Sequence, residues 1–351
     1  MSHILPSERG IVLLITLAII SVLLVLTFSV NRHAIRVYGR TRAIENRAVL
    51  DAMAESGIRL GMAMLIRDKA ESEIDSVQEC WADETCLSLL VRQLDFESGE
   101  LELCIEDEQG KLDVNALVSG TNGERFHPVA YAMWSRFLRD RARSLDVEVD
   151  TEAFLDALKD WMDSEDDERI TGSGGAESNW YMHLSQPYPC KNARVDDIGE
   201  LLRIRGMKPT LFYGKSGVEG IRPFITASNP KWSFGSFGRI NINTARPEVL
   251  GVVLPEIREK QAEQMAAYRM ERSSGTFIHD LSDPLWYKRV PGLTDVTLSP
   301  DRIAYASNRF SITATARIDP LSRRITARVL REKQGESGTW HCRVISWELD
   351  R

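Results

Sequence analysis

The most constraining feature of this sequence is an uninterrupted apolar run from Ile11 to Val30, twenty residues without a charged side chain. Residues of an α-helix rise about 1.5 Å each, so the run would extend roughly 30 Å and match the hydrocarbon core of a bilayer. A secretory signal has a shorter apolar stretch, about 7 to 15 residues, before a small-residue cleavage site. Polar residues beginning with Asn31 follow instead, so the run is predicted to stay in the protein as a transmembrane helix.

Basic residues are distributed unevenly around this run. Only His3 and Arg9 precede it. Five arginines follow it within a short distance: Arg32, Arg36, Arg40, Arg42 and Arg47. The positive-inside rule alone would therefore place the C-terminal part of the chain in the cytoplasm.

The rest of the chain has the composition of a globular protein. Its 351 residues, 27% charged and 43% hydrophobic, suffice for two compact units. The formal net charge of −7 supplies no general attraction to phosphate backbones, so the composition does not favour a nucleic-acid partner.

One continuous helix is predicted from Ile11 to about Ala70, because this stretch contains no proline and only isolated glycines. Its second half carries apolar residues at alternating three- and four-residue intervals: Leu50, Met53, Gly57, Leu60 and Met64. Such spacing gives one apolar face on a helix, and we expect that face to pack on a sheet.

Strand patterns occur in two distant parts of the sequence. Alternating apolar residues in ELELCIED, a turn at Glu108-Gln109-Gly110 and the following Leu112 and Val114 predict a β-hairpin. Near the C-terminus, RFSITATARID, RRITARVLRE and TWHCRVISWEL predict three further strands. About 180 residues of mostly helical pattern lie between the two groups, so an all-α unit is predicted to be inserted into a frame built from both ends of the chain.

The segment DWMDSEDDERITGSGGAE is crowded with carboxylates. Asp163, Glu165 and Asp167 resemble the start of an EF-hand loop, but Glu168 and Gly174 stand where that motif needs glycine and glutamate. The residues alone leave two interpretations open, a calcium loop of another kind and a solvated acidic loop.

Five cysteines also leave alternatives open. In an oxidising compartment Cys80 and Cys86 could close a short loop around WADET, whereas in the cytosol all five thiols would be reduced. The spacing of the cysteines does not fit a zinc cluster.

The segment from Ile242 to Thr294 is similar to helix-hairpin-helix modules, which hold phosphate on the backbone amides of a Gly-rich hairpin. The first hairpin reads Pro255-Glu256-Ile257-Arg258 and lacks those glycines, while Pro291-Gly292-Leu293 keeps one. A packing unit is favoured over a DNA-binding one. The histidines are scattered and no G-x-S-x-G motif occurs, so no enzyme is predicted.

Several segments coincide in order along the chain. A polar leader ends in Glu8-Arg9-Gly10 directly before the apolar run, and DEQGKLDVNAL, DWMDSEDDE with GGAESNWY, and RININTARPEVL follow downstream. Together they resemble the minor pseudopilin K family of type II secretion systems over essentially the whole chain.

The resemblance implies an α+β, pilin-like fold with a long N-terminal helix packed on an antiparallel sheet and a large all-α insertion domain. The predicted organisation is a prepilin leader at 1–10, a transmembrane helix at 11–30, the rest of the pilin helix with the first strands at 31–121, the inserted α-helical domain with its helix-hairpin-helix-like part at 122–307, and the C-terminal strands at 308–351.

The family further implies cleavage by prepilin peptidase between Gly10 and Ile11, followed by N-methylation of Ile11. Most pilin-like proteins have glutamate at the fifth mature position, whereas the K family lacks it, and this chain has Ile15 there.

The expected function is that of a non-enzymatic subunit at the tip of the pseudopilus, which initiates or caps assembly and aids export of folded proteins across the outer membrane. The family implies a single-pass protein of the bacterial inner membrane with a periplasmic body. Its expected partners are minor pseudopilins I and J, prepilin peptidase and other type II secretion components, without nucleic acid. It also implies bound calcium, with these predicted ligands: Asp160, Asp163, Glu165, Asp167 and Glu177. The alternative is a membrane-anchored helix-hairpin-helix protein that binds DNA.

Overall fold

The computed structural model describes residues 8–120, 122–164, 170–229, 238–253, 259–334 and 338–350. Its helices are α1 (Glu8–Glu71), α2 (Glu84–Val91), α3 (Pro128–Ser144), α4 (Thr151–Met162), α5 (Ser178–Met182), α6 (Pro209–Tyr213), α7 (Pro247–Val253) and α8 (Glu259–Met270). Its strands are β1 (Glu100–Asp107), β2 (Leu112–Asp113), β3 (Val118–Ser119), β4 (Arg125–Phe126), β5 (Gly214–Lys215), β6 (Val218–Glu219), β7 (Ile225–Thr226), β8 (Ile240–Asn241), β9 (Arg272–Ser273), β10 (Thr276–Phe277), β11 (Ile303–Ala304), β12 (Arg309–Ile318), β13 (Leu321–Gln334) and β14 (Thr339–Asp350).

Helix α1 runs without interruption through 64 residues, which confirms the predicted continuous helix. From Ile11 to Thr41 every side chain is exposed, so the N-terminal half stands clear of the body. Among the described helices, α1 alone is long and apolar enough to cross a membrane.

The C-terminal half of α1 packs on a four-stranded sheet. Its buried face comprises Leu50, Met53, Ala54, Gly57, Ile58, Gly61 and Leu65, whereas Leu60 and Met64, predicted to belong to it, lie at its edge and are half-buried. A Cβ at Gly61 would stand 2.8 Å from a methyl group of Ile312, and one at Gly57 3.0 Å from the Cβ of Ala314. The two glycines therefore let the helix approach the sheet closely.

The sheet has the order β1-β12-β13-β14, with every pair antiparallel. Its inward side chains on β12 are Phe310, Ile312, Ala314 and Ala316, as the alternation predicts, and all are buried against α1. Strand β1 pairs with β12 over all eight of its residues, although some 200 residues separate them in sequence. The frame is thus closed by both ends of the chain, as predicted.

The predicted hairpin between β1 and the residues after Gly110 is wrong. Strand β1 pairs with β12 and not with the residues after Gly110. Leu112 and Asp113 instead pair in parallel with Ile225 and Thr226. Leu112 is only 1% exposed because it enters a second hydrophobic core instead of extending the sheet.

This second core belongs to the region inserted between β1 and β12. Aromatic and aliphatic side chains from α3, α4, α7 and the intervening loops fill it, including Trp134, Phe137, Phe154, Leu158 and Trp286. Capping fixes where two of its helices begin: His127 Nδ1 accepts the amide of Ala130 before α3, and Asp150 accepts that of Ala153 before α4. The α+β class with a helical insertion is confirmed, and the described insertion also contains five pairs of two-residue strands.

Arg331 on β13 joins the stem, formed by α1 and the four-stranded sheet, to the end of the insertion. Its guanidinium donates to the carbonyls of Leu65 and Ser307, both at 2.8 Å, and forms ion pairs with the carboxylates of Asp68 and Asp75. The Arg331 side chain is fully buried, so these partners replace its hydration.

Replacing Arg331 by methionine would leave Asp75 buried without its closest cation. Removing one partner of a buried ion pair costs on the order of 3 to 5 kcal/mol, so Arg331→Met should lower the free energy of unfolding by about that amount. Urea unfolding of the full chain in detergent micelles, followed by near-ultraviolet circular dichroism, measures the loss. Arg324→Met, an exposed position on the same strand, is the control. Equal unfolding midpoints for the two variants would contradict the assigned role of Arg331.

A second ion pair, between Glu108 and Lys111, lies where the chain leaves β1. Their charged atoms are 2.8 Å apart, and the other carboxylate oxygen of Glu108 accepts a hydrogen bond from the hydroxyl of Thr226. Burial alone would raise the pKa of Glu108, but Lys111 and the neighbouring hydroxyl groups outweigh it and lower the pKa to about 2.

This depressed pKa predicts acid sensitivity. An unfolded glutamate titrates near pH 4.3, so the stabilisation by ionised Glu108 is fully present above about pH 5 and is lost as the pH falls towards about 2. Over that range Glu108→Gln should remove roughly 3 kcal/mol of pH-dependent unfolding free energy. Glu106→Gln, which also removes a partner of Lys111 but at a mostly exposed position, should keep most of it. Parallel pH profiles for the native chain and Glu108→Gln would contradict the prediction.

Candidate functional site

Three carboxylates meet where α4 ends. Asp160 lies in its last turn, Asp163 is its C-cap residue, and Glu177 directly precedes α5. The intervening chain returns to α4 through Gly174, where a Cβ would stand only 2.1 Å from the Cα of Ala153. Glycine is therefore required at this close approach, which brings Glu177 back to the two aspartates.

The three carboxylates are buried together. Asp160, Asp163 and Glu177 are 1%, 7% and 4% exposed, and each offers an oxygen within 4.8 Å of the others. Both oxygens of Asp160 accept from the amide of Thr171, at 3.1 and 3.2 Å. The ammonium of Lys159 lies 3.0 Å from a carboxylate oxygen of Asp163.

Burial of excess negative charge is costly unless a cation compensates it. Burial, reinforced by the nearby charge of Asp160, also raises the pKa of Asp156 one turn earlier on α4. Carboxylate oxygens are the preferred ligands of calcium, which tolerates irregular geometry, so this donor set fits a calcium ion.

The structure thus brings together three of the five predicted ligands. Glu165 and Asp167 lie outside the described residues. Because the other three are buried, the interpretation as a wholly solvated acidic loop does not describe them. Their clustering depends on the glycine-mediated return of the loop, which residue spacing does not reveal.

A second acidic group was not predicted from the sequence. Asp68, Asp75 and Glu79 also offer oxygens within 4.8 Å of one another. Burial raises the pKa of both Asp68 and Asp75 to about 7, although Arg331 acts against this shift. Here protein cations already lie beside the carboxylates, since Arg331 pairs with both aspartates and Lys69 lies 3.9 Å from Asp75. This group is therefore a structural ion-pair network and not a candidate metal centre.

A disulfide joins Cys80, in the loop before α2, to Cys86 in the first turn of that helix, and their Cα atoms are 5.3 Å apart. Within this loop the ring of Trp81 packs edge-on against Phe310, with centroids 5.2 Å apart. The bridge therefore closes a loop that lies on the core of the stem.

The helix-hairpin-helix-like part is used for packing where it is described. Leu293 is buried, and the carbonyl of Gly292 accepts a hydrogen bond from the side chain of Gln261 at 2.9 Å. Buried Arg269 on α8 donates to the carbonyls of Ile242 and Ala245. The first hairpin, residues 255–258, lies outside the described residues. These contacts match the favoured interpretation as a packing unit.

Comparisons with known proteins agree with the fold and with each other. A family model described as type II secretion system (T2SS), protein K matches residues 110–229. Proteins named type II secretion system protein K are 25% identical over 94% of both chains in Klebsiella pneumoniae, and 25% identical over 70% of both chains in Aeromonas hydrophila.

A relative with the same name in Pseudomonas aeruginosa is 27% identical over 62% of this chain and 59% of its own. The crystal structure of the GspK-GspI-GspJ complex from enterotoxigenic Escherichia coli contains a chain that superposes with a TM-score of 0.65 at 18% identity. That match covers 89% of this chain and 99% of the other.

This chain is similar over most of its length to type II secretion system proteins K, and residues 110–229 match the model of that family. The expectation from the leader, the apolar run and the downstream segments is confirmed. The apolar half of α1 is the candidate single-pass anchor. Gly10 and Ile11, the predicted processing residues, lie in the first turns of that helix. Residues 1–7 of the predicted leader are outside the described part.

Proposed function

We propose that this protein is a minor pseudopilin at the tip of the type II secretion pseudopilus, where it initiates or caps assembly and aids export of folded proteins across the outer membrane. The observation that carries the proposal is the two-part helix α1, exposed and apolar in one half and packed under a sheet in the other. Its exposed half supplies a surface for packing into a fibre. The work of the protein is assembly and not catalysis.

The body is proposed to be periplasmic, with the span from Ile11 to Val30 in the inner membrane. Prepilin peptidase would cleave after Gly10, and the new N-terminus at Ile11 would be methylated. The span would then remain attached to the body. Ile15, which is apolar and exposed, would present no carboxylate to the N-terminus of another subunit, as suits a subunit with no neighbour above it.

Processing can be measured at the N-terminus of the full chain co-expressed with a prepilin peptidase. Mass spectrometry should find a mature protein that begins at methylated Ile11. Gly10→Glu, which places a bulky charged side chain at the cleavage point, should leave the leader attached. An intact Met1 in the native chain, or cleavage after Val30, would contradict the proposal.

Minor pseudopilins I and J are the proposed partners, together with prepilin peptidase and the other type II secretion components. The structural relative is a GspK-GspI-GspJ complex, and this chain covers 99% of the chain that it matches there. The large insertion would lie at the end of that assembly and leave too little room for a further subunit.

Association with I and J can be tested by detergent extraction of membranes from cells that produce all three proteins. A complex of the three should elute together, because parallel spans and stems bury apolar helix surface that is exposed in the single chain. The control is a cell that lacks pseudopilin I, from which less of this chain should elute together with J. Separate elution of this chain from both would contradict the proposed partnership.

A calcium ion is proposed to bind the three carboxylates at the end of α4. Its proposed ligands are Asp160, Asp163 and Glu177, together with Glu165 and Asp167. A divalent cation would be held by carboxylate oxygens that already lie within 4.8 Å of one another. Its proposed role is to fix the loop between α4 and α5 within the insertion.

Calcium should raise the melting temperature of the chain after treatment with a chelator. Binding to the folded state alone stabilises by about 4 kcal/mol at a thousandfold excess over the dissociation constant. Asp160→Asn and Glu177→Gln should each remove most of the shift, whereas Glu152→Gln, at an exposed position on α4, should preserve it. A calcium-independent melting temperature in the native chain, or an equal shift in all three variants, would contradict the site.

A further inference from the structure

A basic face continues along α1 directly beyond the apolar run. Arg32, Arg36 and Arg40 recur every fourth residue and Arg47 follows, so at about 100° per residue the four lie within an arc of about 80°. All four side chains are exposed. The single carboxylate between Val30 and Leu50, Glu45, lies on the opposite side of the helix.

These arginines have no ion-pair partner among the residues that the structure describes. The one hydrogen bond of their side chains joins Arg36 Nε to the carbonyl of Arg32 at 3.2 Å, one turn earlier. Arginines elsewhere on the body contrast with them: Arg309 pairs with Asp113, and Arg331 with two aspartates. The basic face is therefore available to an anion outside this chain.

Position along the helix decides which anion the first arginines meet. At about 1.5 Å per residue, the Cα atoms of Arg32 and Arg36 lie about 3 and 9 Å beyond Val30. The headgroup region of a bilayer extends roughly 5 to 8 Å beyond the hydrocarbon core. Helical side chains also lean towards the N-terminus, which here is the direction of the membrane. Both guanidinium groups therefore reach the phosphate layer.

We propose that Arg32 and Arg36 form a binding site for anionic phospholipid headgroups at the end of the span. A guanidinium presents paired N–H donors that match two phosphate oxygens, and no carboxylate on this face competes. Arg40, about 15 Å beyond Val30, adds to the positive potential at the headgroups and is partly screened by salt. The site favours a lipid of the phosphatidylglycerol type, whose headgroup has a net negative charge. In a zwitterionic lipid the positively charged amine of the headgroup already compensates the phosphate. This inference rests on the proposed insertion of the span in a bilayer.

The test uses the purified full chain, without other subunits, in vesicles of phosphatidylcholine that contain either spin-labelled phosphatidylglycerol or spin-labelled phosphatidylcholine. Electron paramagnetic resonance gives the relative association of the two lipids with the protein. Arg32→Gln combined with Arg36→Gln should lower the preference for phosphatidylglycerol by about fivefold or more, given the contribution of a single arginine near a charged surface. Arg42→Gln combined with Arg47→Gln removes the same charge farther from the membrane and should leave the preference almost unchanged.

Flotation of the vesicles separates failure of this inference from failure of the proposed anchoring. A chain that does not float with vesicles overturns the anchoring. A chain that floats but has equal affinity for the two lipids, or loses its preference equally in both double variants, overturns the lipid site. If preference is absent and the arginines become protected from chemical modification only when pseudopilins I and J are added, an acidic protein surface occupies the face instead.

Discussion

The buried guanidinium of Arg331 is the interaction on which the architecture depends. It lies over the ring of Phe310 at 4.8 Å, while its hydrogen bonds reach the end of α1, the loop at Asp75 and the residue at which the insertion returns to the sheet. One cation thereby fixes three parts of the chain that are distant in sequence. Because the guanidinium is fully desolvated, its contribution to the stability of the fold depends on keeping all these acceptors in place.

A second buried network extends this junction into the insertion. Asp107 at the end of β1 accepts hydrogen bonds from Asn241, Thr244 and Ser307 at 2.9, 2.6 and 2.6 Å. Burial raises the pKa of Asp107, and these donors act against that shift by favouring the charged form. Asn241 also donates to the carbonyl of Asp75, which joins the two networks. The insertion is therefore attached to the stem by buried polar groups that hydrogen-bond one another.

Sequence patterns predicted the parts of the fold that depend on local periodicity. The 64-residue helix follows from apolar length and the absence of proline, and the buried face of β12 follows from strict alternation. The predicted hairpin after β1 was wrong because alternation identifies a strand without identifying its partner. Strand β12 pairs with β1 over eight residues, more than the short segment after Gly110 could. Likewise, the acidic segment was recognisable, but the grouping of Asp160 with Glu177 depends on a loop path set by Gly174. Arg331 gave no signal, since its role is visible only when distant elements meet.

This protein is proposed to end the pseudopilus, with its insertion beyond the last turn of the fibre. Immunogold labelling of isolated pseudopili, with an antibody against the inserted region, tests it most directly in electron micrographs. Gold particles are expected at one end of a fibre and not along the shaft. Labels distributed along the shaft, or fibres of normal number and length from cells that lack this chain, would contradict it.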